Sequence, residues 1–76
     1  MNAPFHNLER ERWLDQIFTS HAARFGGVVR RNIADVERRI GRKTLELEVR
    51  RRGFHMIECA GQFVIVCTTG SMHIIC

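Results

Sequence analysis

The apolar residues of this chain change period at Gly53. Ahead of it they recur at spacings of three and four, and behind it they alternate, so helices precede a sheet and the expected class is α+β. Seventy-six residues hold one small domain, too short for a Rossmann cofactor domain or a barrel. Within that domain residues 1–4 read as a tail, 5–53 as mainly helical, and 54–76 as an antiparallel β-meander.

In the helical part, Leu14, Ile17, Phe18, His21, Ala22 and Phe25 line one stripe, which predicts a single helix over residues 5–25. Pro4 suits its first turn, and Gly26-Gly27 ends it where a positive φ is needed. Trp13 lies about 100° from Leu14 around that helix and is assigned to the core edge. Val28-Val29-Arg30-Arg31 is a short β-like run, and Asn32 is a good cap for a second helix through Ile33, Val36 and Ile40. Gly41 breaks that helix. Residues 44–50 satisfy two patterns: their alternation fits a strand, whereas strong helix formers, the i,i+4 pairs Glu46–Arg50 and Glu48–Arg52, and Gly53 as a stop fit a helix. Helix is the expected state.

Beyond Gly53, Phe54–Cys59, Gln62–Cys67 and Met72–Cys76 read as three strands joined by turns at Ala60-Gly61 and Thr68–Ser71. In that register Ile57 faces Val64, and Ile65 faces Ile74. One sheet face then collects Phe54, Met56, Phe63, Ile65, Cys67, Met72, Ile74 and Cys76, and the other His55, Ile57, Cys59, Val64, Val66, His73 and Ile75. Both faces are apolar. The sheet is therefore expected either to be sandwiched by its own helices or to use its second face against a second copy or another protein.

Charge is concentrated in the middle third. Residues 30–52 hold nine basic and four acidic side chains, a local excess of five, while the rest of the chain holds three and four. Eleven of the twelve basic residues are arginine, whose planar fork suits phosphate oxygens and guanine edges, so double-stranded DNA is a candidate partner. RNA is less well matched, because no aromatic residue is interleaved with the arginines to stack bases. No run approaches the apolar length of a membrane span, the first residues lack the pattern of a secretion signal, and three cysteines without a C-x-x-C pair do not form a disulfide framework. A cytoplasmic protein with no membrane partner is expected.

Chemistry is poorly provided for. Cys59, Cys67 and Cys76 and the four histidines lack zinc-knuckle spacing, Glu58 beside Cys59 disfavours a thiolate, and the remaining carboxylates mostly neighbour arginines. Gly26-Gly27 is not followed directly by a helix, as a phosphate-cradling loop would be. No catalytic residue, metal or cofactor is assigned, and no enzyme is expected.

The order helix, short strand, helix, Gly41 turn, Arg-rich helix, hairpin is similar to that of winged helix-turn-helix DNA-binding domains over roughly residues 8–67. The resemblance implies that residues 44–52 lie in the major groove and that the 59–62 turn is the wing tip. It places Val36, Ile40 and Leu47 at apolar contacts between the two helices, and puts Glu37 and Arg42 where the family has a small residue and a buried aliphatic. It further implies that Arg30, Arg31, Arg42 and Lys43 hold the phosphate backbone and that Arg50 and Arg51 face base edges, with Arg52 a further nucleic-acid-binding candidate. The alternative is a small adaptor or inhibitor that binds protein through the apolar sheet face, as a homodimer or with another chain.

Overall fold

The computed structural model describes residues 4–76, with side chains from Leu8 onward, so the expected tail at residues 1–4 falls almost wholly outside the described residues. Among the described residues four helices precede and flank a three-stranded antiparallel sheet. Helix α1 spans Pro4–Phe18 and α2 spans His21–Arg24; strand β1 (Val28–Asn32) leads into α3 (Ile33–Arg39) and α4 (Arg42–Arg52); β2 (His55–Cys59) and β3 (Gln62–Val66) close the sheet as a hairpin.

The expected helix over residues 5–25 is two helices. Ser20 Oγ accepts from the Ala23 amide at 3.3 Å and donates to the Ile17 carbonyl at 2.8 Å, so the serine starts a new helix instead of continuing the old one. The break shifts the apolar phase: Ile17, Phe18 and Ala23 are buried and Leu14 and Ala22 half-buried, whereas His21 and Phe25 are exposed. Trp13 packs at the core edge as expected. Gly27 then meets α2 so closely that a Cβ there would lie 3.1 Å from the Ala22 carbonyl oxygen, which explains the glycine better than its backbone freedom does.

Residues 44–50 are helical, inside α4. Gly53, at φ 75°, donates to the Arg50 carbonyl and lets Phe54 N reach the Val49 carbonyl at 3.0 Å, a left-handed cap that ends the helix where the period changes. Asn32 caps α3 through its side chain, which accepts from the Asp35 amide at 3.2 Å.

The sheet differs from the expected meander. Its order is β1-β3-β2, with Val29 opposite Ile65 and Ile65 opposite Met56. The hairpin register is as expected, Ile57 facing Val64 and Cys59 facing Gln62. The third strand, however, is Val28–Asn32, and Met72–Cys76 pairs with nothing among the described residues. Two backbone bonds fix this: Cys67 N donates to Gly27 O at 2.9 Å and Ile33 N to Gly61 O at 3.0 Å, one at each end of β1. With that side of β3 filled, Cys67 and Ile65 do not face Met72 and Ile74. His73 also leaves the face that it was expected to share with His55 and Cys59.

The inner face of the sheet packs on the helices. Val29, Phe63, Ile65 and Cys67 meet Ile17 and Phe18 of α1, Val36 of α3, Ile40 just after it, and Leu45 and Val49 of α4 in one core. Burying each such aliphatic or aromatic side chain is worth about 1.5–3 kcal/mol. The outer face carries Val28, Arg30, Asn32, Val64, Val66, Gln62, His55, Ile57 and Cys59; none of these is fully buried. Among the described residues no helix is long and apolar enough to cross a membrane.

Candidate nucleic-acid interface

Helix α4 is held by its inner side. Leu45 and Val49, four residues apart, are buried in the core, which turns Lys43, Leu47 and Arg50 outward on the opposite face, with Glu46 and Arg51 on its flanks. Gly41 at φ 84° reverses the chain between α3 and α4, and Gly41 N donates to the Val36 carbonyl at 2.7 Å. Val36 and Ile40 are buried between the helices as expected, but Leu47 is 61% exposed and Leu45 takes the inner position. The helix starts two residues earlier than the alternation at 44–50 implies, and in its phase residues 45 and 49 face inward.

The seven predicted binding residues divide into three groups. Lys43 and Arg50 are exposed on the outward face of α4; Lys43 has no carboxylate partner among the described residues, and Arg50 only a loose one, Glu46 at 3.9 Å. Arg51 shares that side of the helix but donates twice to Glu48, from Nη2 at 2.5 Å and Nε at 3.3 Å.

Arg42 and Arg52 form the second group. Arg42 sits 5.3 Å over the Phe63 ring and reaches Glu58 of β2 at 3.3 Å, joining α4 to the hairpin. Arg52 donates to Glu48 at 2.7 Å, and its guanidinium lies 4.3 Å from the Phe18 ring centroid, a stacked position that ties α4 to α1. The third group is on β1: Arg30 belongs to the outer sheet face, opposite Val64, while Arg31 is opposite Phe63 on the inner face and half-buried, its Nη1 donating to the Arg30 carbonyl at 2.7 Å. The sheet thus directs Arg30 away from the side on which α4 packs.

Glu48 is the electrostatic centre of α4. Side-chain hydrogen bonds from Arg51 hold its carboxyl below the ordinary glutamate value; partial burial opposes this, and the bond from Arg52 adds to it. Cys67 behaves as a core residue: burial pushes its thiol pKa up, with nearby Arg52 partly opposing. Cys59 and Cys76 are exposed, and no disulfide links the three.

One exposed cation outside the predicted set is Arg39, in the last turn of α3, which has no carboxylate partner among the described residues; its neighbour Arg38 is paired with Asp35 at 2.8 Å. Its signal was present in the basic run, but only the pairing pattern separates it from Arg38. Comparisons with protein-family models, with curated proteins and with solved structures give no match.

Proposed function

We propose that the chain binds double-stranded DNA through the outward face of α4. The observation that carries this is the division of labour on the helix: Leu45 and Val49 anchor it, while Lys43 and Arg50 stay exposed without a close acidic partner. Lys43 and Arg50 are seven residues apart on one face, spanning about 10 Å of helix axis, a scale that suits contacts to successive phosphates and base edges in a major groove. Leu47 between them offers an apolar surface of the kind that meets a thymine methyl group. Arg39 contributes to backbone contact, and Arg42 and Arg52 serve mainly to hold the helix in place. The hairpin turn, Ala60-Gly61, carries no charge, so recognition rests on the helix.

Binding of the full chain to labelled duplexes at low salt tests this. Replacing Lys43 and Arg50 together by Ala is expected to weaken binding at least tenfold, and Glu46→Gln to strengthen it about twofold by freeing Arg50 and removing a negative charge from the interface. Equal affinity in all three proteins, or no binding by the wild type, would overturn the proposal. The exposed Leu47 and uncharged turn favour a second reading, a protein-binding module using the same helix face, for which Leu47→Asp would abolish partner binding and the cation substitutions would not.

A further inference from the structure

Strand β2 is an edge strand whose burial is incomplete. None of its five residues is fully buried, whereas Phe63 and Ile65 of β3 are sealed. Its single charge, Glu58, is paired with Arg42, and it contains neither Lys nor Pro, residues that commonly blunt an open edge. The other edge, β1, connects directly into α3 and carries Arg30 and Arg31.

The chain leaves the sheet at the same place. His55 Nε2 donates to the Gly70 carbonyl oxygen at 2.6 Å, which roots the following residues beside the first residue of β2. Residues 72–76 (Met-His-Ile-Ile-Cys) contain no Lys, Arg, Asp or Glu, have strand-forming composition, and leave Ile74 75% and Ile75 90% exposed. One molecule thus displays an unpaired apolar segment of five residues and an unpaired strand edge of five residues, matched in length and in their need for backbone partners.

We propose that residues 72–76 of one copy add as a fourth strand to the β2 edge of a second copy, reciprocally, forming a two-fold homodimer. The occupant is a second copy because the donor and acceptor are on the same chain but do not meet in it. To reach its own β2 edge, the segment has to cross the end of β2 and run parallel to it, the less stable pairing. A two-fold partner presents it antiparallel. In the register of full overlap, Ile74 stands opposite Ile57 and Ile75 opposite Met56, so the added strand extends both faces of the sheet. Each contact is made twice, as an isologous interface requires.

None of the paired residues is Lys43, Leu47 or Arg50, so a monomeric variant leaves the side chains of the proposed DNA-binding face in place. Sedimentation equilibrium of the purified full chain tests the proposal, with circular dichroism as the check on folding. The wild type is expected to dimerise in the micromolar range, Ile75→Asp and Ile74→Pro to weaken the dimer at least tenfold with unchanged spectra, and Ile74→Val to keep it. The amides of residues 72–76 are expected to be protected from exchange in the wild type and to lose protection in Ile75→Asp. A wild type that stays monomeric to millimolar concentration, as a protein needing a different partner would, overturns the proposal. So does a dimer of unchanged affinity in both Ile75→Asp and Ile74→Pro.

Discussion

Individual arginines in this chain have different tasks, and partner geometry distinguishes them. Arg52 stacks on Phe18 and bonds to Glu48, Arg51 is bidentate to the same carboxylate, and Arg50 is nearly free. Position in the run Arg50-Arg51-Arg52 gives no hint of this, because the difference depends on which side of α4 meets α1. Glu48 is the residue that converts two of these charges into structure. Its carboxyl is held below the ordinary glutamate value, so its stabilising contribution is complete above the unfolded-state pKa and is lost as pH falls through the lower folded-state value. Glu48→Gln is therefore expected to lower stability by about 1 kcal/mol near neutral pH, and the gap between variant and wild type should close as the solution is acidified below about pH 4. Chemical denaturation of both proteins across that range checks it; a gap independent of pH would show that the charge on Glu48 is not what matters.

At the scale of elements, most boundaries were legible because they are marked by residues with one dominant local effect. Gly53 ends α4, Asn32 starts α3, and Ala60-Gly61 turns the hairpin in the expected register. Two elements were not. The α1–α2 break depends on Ser20 competing for backbone groups, which a stripe of apolar residues running through it conceals. Val28–Arg31 and Met72–Cys76 are both β-like in sequence. Yet the choice between two candidate strands for one side of β3 is made by the backbone bonds at Gly27 and Gly61, which are tertiary. The partition of the arginines was illegible for the same reason.

The hairpin turn itself is under local strain. Ala60 has φ 52° and Gly61 φ 75°, both positive as a two-residue type I′ turn requires, and an alanine there bears a cost of about 1–2 kcal/mol that Asn or Gly largely avoids. Ala60→Asn should raise unfolding stability by about 0.5–1 kcal/mol in a denaturant titration. An unchanged or lower midpoint would mean that the turn conformation is not the limiting one.

For the molecule as a whole, the fold separates two surfaces of different character. The helices present basic side chains on the outward face of α4, and the sheet presents apolar ones at its open edge and in the segment beyond it. The local excess of positive charge in residues 30–52 is thereby thinned: some of its members are committed to Glu48, Glu58 and Asp35, leaving a small number free for a polyanion. A small contact set has a quantitative signature, since each phosphate neutralised adds about 0.9 to the slope of log affinity against log salt. The most direct test is therefore the salt dependence of duplex binding by the full chain and by the Lys43→Ala, Arg50→Ala double variant. A modest negative slope is expected for the wild type, flattening in the variant by about 0.9 for each of the two side chains that meets a phosphate. A wild-type affinity that ignores salt, or a slope that the two substitutions leave unchanged, would contradict it.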